Sequence, residues 1–240
     1  MRKDETPLLT RPPTSRILAA LLPAALLPVA ASVLYFVFFS AHPWARVLYG
    51  ATKLFTLLWP LLALRLVLRE GLPKIRWNPS VHVRAVPLGA FVGCLIVGLM
   101  AGLMATPAAV VVLESAGAIG AKARQLGILE HYIAFAVFLS FVNSVVEEYY
   151  WRWFVYGQLR RILPGWRAHA LAGAAFAAHH VVVATQFFPL GWGLCSGVVV
   201  GMGGVIMSML YERQQSLAGA WACHLLADLG IMGIGYGLLF

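Results

Sequence analysis

Glu147-Glu148-Tyr149-Tyr150-Trp151-Arg152 places two carboxylates and a guanidinium directly after Tyr132 to Val146, a stretch without a single charge. A charge at bilayer depth costs roughly 3 kcal/mol on insertion scales. A chain that keeps three of them within six residues must offset that cost with partners, water or chemistry. Helical spacing supplies the first partner: Glu148 and Arg152 are four apart, acid before base, so they lie one above the other on a helix face. Glu147 sits about 100° round the same helix and has no such partner. The question for the rest of the chain is what faces Glu147.

Working outward, the composition gives the class. The chain of 240 residues is 61% hydrophobic and 11% charged, which is membrane usage rather than that of a soluble domain. The reading is all-α: a polytopic membrane helix bundle of seven helices, or eight. The net charge of +9 does not indicate nucleic acid, because the basic residues fall between apolar stretches instead of forming a groove-sized patch. Cys94, Cys195 and Cys223 lie scattered in apolar segments with no metal or redox spacing, and read as small buried hydrophobes.

One integral membrane domain, 1–240, is expected. Residues 1–16 are a polar, proline-containing cytoplasmic tail, and 17–113 hold three N-terminal spans. The first, Ile17 to Ala41, contains Pro23 and Pro28; it is longer than a signal-peptide core and lacks a convincing cleavage site, so it is read as retained. The second, Val47 to Leu64, carries Lys53 near its start, where it can snorkel. The third, Ala85 to Leu113, offers Gly89-x3-Gly93 and Gly98-x3-Gly102 for close helix contact. Glu114 to His131 is a polar connection.

Residues 132–240 hold the remaining spans: 132–159 with the charged motif, 169–185 with His179-His180, 189–210 with Gly193, Gly197 and Gly201 recurring every four residues, and 216–240 with His224 and Asp228. The glycine stripe lies in an apolar run and reads as helix packing rather than a phosphate loop. Lys and Arg, leaving out Lys53 and Arg152, number four, one, five, two, three, none, one and none over the tail and successive connections. The alternation puts the N-terminus in the cytoplasm, and the expected location is a bacterial-type cytoplasmic membrane.

Ionisable groups within spans are functional candidates by default. Besides the charged motif they are His179, His180, His224 and Asp228. His224 and Asp228 are four apart and share a helix face; His180 follows Phe176 by four, so an aromatic ring shelves the imidazole. His180 is therefore expected to face Glu147, with His179 turned about 100° away. A lone histidine in a span would only bond a backbone carbonyl. Acids and histidines on three helices point to a shared site.

The three elements in order, Glu147-Glu148-x3-Arg152, Phe176-x3-His180 and His224-x3-Asp228, resemble the CPBP family. This family comprises the CAAX prenyl endopeptidases and their Abi-type bacterial relatives linked to bacteriocin processing and immunity. The resemblance covers about Tyr132 to Gly230. It implies an intramembrane endopeptidase, regarded as a glutamic protease and often described as a metalloprotease, acting on a prenylated or otherwise membrane-anchored peptide or protein within the lipid bilayer. Carried over, Glu147 is the general base, and His180 helps it hold and activate a water. His224 and Asp228 line the oxyanion side, Glu148 and Arg152 form a structural ion pair, and Phe176 supports the imidazole. Asp228 stands where relatives often have Asn, and Trp153 where a small Gly is common.

The residue chemistry is compatible with that scheme. Peptide hydrolysis needs a base for water and later an acid for the leaving amine, and Glu and His can do both. No nucleophile-base pair in the manner of a Ser-His or Cys-His protease is read here, Cys223 beside His224 being taken as a buried hydrophobe, and neither Gly-x-Ser-x-Gly nor His-Glu-x2-His occurs. Direct water attack without a cofactor is the preferred mechanism. The same Glu147, His180, His224 and Asp228 are the alternative ligand set for Zn2+. From other classes, a proton-coupled carrier would use such groups as a relay, although no repeated half is evident. A non-catalytic membrane scaffold would be indifferent to loss of Glu147.

Overall fold

The computed structural model describes residues 12–72 and 78–240. Most of the expected tail, and part of the basic connection after the second span, lie outside these residues. Among the described residues the chain is helical, without strands. We number the helices α1 Thr14–Phe38, α2 Trp44–Val67, α3 Pro79–Met104, α4 Ala109–Glu114, α5 Ala116–Gln125, α6 Leu129–Ile162, α7 Trp166–Ala184, α8 Leu190–Gln214 and α9 Leu217–Leu239. Six of them, α1, α2, α3, α6, α8 and α9, are long and apolar enough to cross a membrane. The expected 169–185 span is α7. It is not among the six, because Arg167 and three histidines dilute its apolar residues.

Local chemistry sets several boundaries. The third span was expected to reach Leu113, but α3 stops at Met104. Pro107 offers no backbone N–H to continue a helix, and the Thr106 hydroxyl donates to Leu103 O instead. The polar connection that follows is helical in α5, which is tied to the α1–α2 turn by Lys122 and Gln125, both donating to Ser40 O. In α1 the helix runs on through Pro23 and Pro28. Pro28 cannot donate to the carbonyl four residues back, and the buried Tyr150 hydroxyl donates to that same oxygen, Ala24 O, at 2.8 Å.

Helix α6 is the central rod. It widens into π-helical turns over Leu139–Asn143 and Tyr149–Tyr156, on either side of Glu147 and Glu148. Such turns re-aim side chains relative to a regular helix and are frequent at functional sites. The main core gathers Ile17, Leu21 and Ala24 of α1, Leu64 of α2, Tyr150, Phe154 and Val155 of α6, and Ala172 and Phe176 of α7. A second core joins Met207 and Leu210 of α8 to Ala220 and Cys223 of α9, with Val92 and Ile96 of α3 packed on it.

Glycines permit the two closest helix pairs. Along α7 and α8, which run antiparallel, a side-chain carbon on Gly193 would press into Thr185 and one on Gly197 into Val181; one on Gly173 would meet Gly201 O at 2.6 Å. Between α3 and α9, a carbon on Gly89 would strike the Gly219 backbone, and one on Gly93 would come within 2.9 Å of Leu226. Gly98 and Gly102 face open space, so only the first half of the expected α3 glycine pattern is a contact. Cys94 and Cys195 are also on the outside and only Cys223 is buried, because the outer surface of a membrane bundle is itself apolar.

Replacing Gly89 by Leu is expected to cost at least ~1–3 kcal/mol, since the obstacle is backbone rather than a movable side chain. Gly98→Leu should stay within ~0.5 kcal/mol of wild type. Thermal unfolding of the purified variants in one detergent measures both. Equal losses would contradict the placement of α3 against α9.

Candidate active site

The site is built from one carboxylate pair on adjacent residues of α6 whose side chains do different things. Glu148 is completely buried. Its Oε2 lies 3.1 Å from Arg152 Nε, and its Oε1 lies 2.7 Å from His224 Nδ1. The Glu148–Arg152 approach is a charge contact without hydrogen-bond alignment, as neither atom completes a hydrogen bond. The guanidinium is further held by the Phe176 ring, 4.4 Å away, and abuts Met207 Sδ. Glu148 therefore does more than pair with Arg152: it fixes the ring of His224, whose Nδ1–H donates to it.

That bond aims His224 Nε2 at the other two acids, 3.6 Å from Asp228 Oδ1 and 3.9 Å from Glu147 Oε2. Asp228 Oδ2 is buried and accepts no hydrogen bond. On the facing helix, His180 Nδ1–H donates to Phe176 O at 2.8 Å, which leaves Nε2 as its available nitrogen. The His180 and His224 rings both border Phe176, at centroid distances of 4.6 and 5.9 Å. Glu147, His179 and His180 each offer a ligand-type atom, and these atoms lie within 4.8 Å of one another. The structure thus brings together Glu147, His180, His224 and Asp228, with Glu148, Arg152 and Phe176 behind them.

His179 does not turn away as the helical wheel suggested. Its ring stacks on Trp151 at 5.5 Å and 4°, and its centroid is 4.0 Å from that of His180. A 100° offset between adjacent Cα atoms is bridged by leaning side chains, and the Trp151 face gives the first imidazole a shelf as Phe176 gives the second. His179 Nδ1 is buried without a hydrogen bond. Trp153, the bulky residue after Arg152, lies against Tyr149, stacked at 5.1 Å.

Two residues at the site were not singled out from the sequence. Lys53 of α2 does not snorkel outward: its Nζ lies 3.2 Å from Glu147 Oε1 and also donates to Asn143 Oδ1. Asn143 Nδ2 donates to the same Glu147 oxygen at 2.9 Å. Asn143 precedes Glu147 by four residues, a signal that was present. Lys53 is a charge inside a span and qualified on that ground.

A second polar cluster imitates a nucleophile triad. His169 Nδ1 is 2.7 Å from Ser208 Oγ, and His169 Nε2 is 2.9 Å from Glu212 Oε2, with Arg160 on the same glutamate. Ser208, however, is completely buried and gives its proton to Val205 O. Its hydroxyl can only accept from His169, so the set is a polar lock between α7 and α8.

Residues 129–230 match the family model of the Rce1-like type II CAAX prenyl endopeptidases. The matched segment spans α6 to the middle of α9 and contains Glu147, His180, His224 and Asp228; Lys53 is outside it. No curated protein and no solved structure matches the chain. With six membrane-length apolar helices, the match supports an integral membrane protein and an intramembrane endopeptidase of the CAAX type.

Removing the Glu148 charge leaves a guanidinium buried without its acid and frees the His224 ring. Glu148→Gln is expected to lose ~3–5 kcal/mol of stability, seen as a lower yield of folded protein and a lower unfolding temperature. Wild-type stability in that variant would show that Glu148 is not the structural member of the pair.

Proposed function

We propose that this protein is an intramembrane endopeptidase of glutamic type, which hydrolyses a peptide bond of a lipidated or membrane-anchored substrate with a water activated by Glu147 and His180. The observation that carries this reading is the convergence on Glu147 of three imidazoles from two other helices, with His224 Nε2 at 3.9 Å and His179 and His180 within 4.8 Å. Gaps of that size exceed direct hydrogen bonding and suit one interposed water.

In this scheme Glu147 takes a proton from water as the oxygen attacks the carbonyl carbon. His180, whose Nδ1–H is committed to Phe176 O, receives the water's other hydrogen bond at Nε2. The negative charge that develops on the carbonyl oxygen is met by N–H donation from His224 Nε2, a contribution commonly worth ~3 kcal/mol. Donation from Nε2 while Nδ1–H is held by Glu148 requires the imidazolium, whose Nε2 lies 3.9 Å from the Glu147 carboxylate and 3.6 Å from that of Asp228. Collapse of the tetrahedral intermediate then expels the amine, which takes the proton held on Glu147. Asp228 acts by holding the His224 charge rather than by donating, since an ionised carboxylate has no proton to give.

A zinc-dependent version has one specific observation behind it: the donor atoms of Glu147, His179 and His180 are of types that bind zinc and lie close together. A bound Zn2+ would polarise the carbonyl and acidify the water. The Lys53 ammonium on the same Glu147 carboxylate opposes a second cation there, which favours the metal-free scheme.

Glu147→Gln keeps the shape and an acceptor for Asn143 but leaves the Lys53 ammonium without its acid, so it should insert and fold with a somewhat lower unfolding temperature, and cleavage should fall by ~10²–10⁴-fold. The measurement is release of a fluorescent reporter from a membrane-anchored peptide, with and without a zinc chelator. Undiminished cleavage in the variant would end the glutamic reading. Loss of wild-type activity to the chelator, restored by added Zn2+, would establish the zinc version.

A further inference from the structure

We propose that Lys53, acting with Asn143, is a positioning residue for Glu147 that selects which of its two carboxylate oxygens meets the water. The inference deepens the protease reading and rests on it. Both donors converge on one atom: Lys53 Nζ at 3.2 Å and Asn143 Nδ2 at 2.9 Å from Glu147 Oε1. Lys53 and Asn143 also bond each other, so the three groups close a triangle. Oε2 is left free of this triangle and lies on the His224 side.

A carboxylate on a flexible side chain would otherwise present either oxygen by rotation about its last bond, a soft two-fold torsion. Holding Oε1 from two directions removes that freedom and fixes Oε2 beside the imidazoles, and misplacement of a reacting atom by about 1 Å can cost ~10²-fold in rate. Lys53 is itself held in place. The Tyr49 ring, one turn earlier on α2, lies under the ammonium at 5.5 Å. The helix that supplies Lys53 lies outside the family-matched residues, so the N-terminal spans take part in the chemistry through this side chain.

The test uses the full chain in liposomes with a farnesylated, internally quenched peptide, comparing wild type, Lys53→Met, Lys53→Arg, Asn143→Ala, Glu147→Gln and the double variant Lys53→Met/Glu147→Gln. Lys53→Met and Asn143→Ala should each lower kcat by ~10–100-fold with KM within about threefold, at a near-normal unfolding temperature. Lys53→Arg should recover a good part of the loss, because the charge can still reach Oε1. The double variant should be no slower than Glu147→Gln alone, since positioning a base that is gone has no value. Wild-type kcat in both Lys53→Met and Asn143→Ala, or a loss confined to KM, would overturn the positioning role while a dead Glu147→Gln left the protease reading intact. Equal cleavage by wild type and Glu147→Gln would sink both. Should Lys53→Met fail to fold, Asn143→Ala decides.

Discussion

The structure depends on the buried carboxylate of Glu148. Its two oxygens face two different helical faces, one toward Arg152 on its own helix and the other toward His224 on α9. Taking these groups out of water is expensive, and their mutual attraction offsets that expense only when every member is in place. The arrangement therefore ties α9 to α6 in one register, and it hands His224 to the site with Nδ1 committed and Nε2 free. A residue that would pass for an ordinary intrahelical ion pair thereby determines the orientation of an imidazole contributed by another helix.

The apolar framework makes this possible by letting helices approach closely where the site needs it. Gly89 against Gly219 sets α9 on α3, and the Gly193, Gly197 and Gly201 stripe sets α8 on α7. Each of these pairs carries one wall of the site, and α6 lies between them with its turns widened around Glu147 and Glu148. The aromatic side chains of α6 and α7 then act as shelves: Trp151 under His179, and Phe176 under both His180 and the Arg152 guanidinium. Packing without a hydrophobic driving force in lipid relies on such close contacts.

Much of this was legible in the sequence because it follows from spacing within one helix. The all-helical class followed from composition, and the Glu148–Arg152 pair, the Phe176 shelf behind His180 and the α8 glycine stripe are all i, i+4 relations. Contacts between distant helices that no shared motif signals were not legible. Lys53 and Glu147 are separated by 94 residues, and no periodicity connects them. A lysine near the start of a span fits snorkelling as well as burial, and only the packing of α2 against α6 decides between the two. His179 was misjudged because a wheel describes Cα directions, whereas an imidazole stacked on Trp151 can lean across them. The span expected at 169–185 is a helix, yet its arginine and the histidines that marked it as a site candidate are what keep its apolarity low.

The charges of the site explain why Lys53 and Asp228 belong to the same design. Glu147, Glu148 and Asp228 bring three negative charges into the bundle, against which Arg152 alone would be far too little. In the proposed scheme a His224 imidazolium adds a second positive charge, and Lys53 supplies the third at 3.2 Å from Glu147. The resembling motif commonly has Asn where this chain has Asp228, and an Asn would remove one negative charge. With aspartate there, a cation brought in from α2 restores neutrality inside the membrane, where an uncompensated charge costs ~3 kcal/mol. The departure at Asp228 and the unexpected lysine are then, in the proposed scheme, two halves of one electrostatic solution, with Lys53 and Asn143 both held on the Glu147 carboxylate.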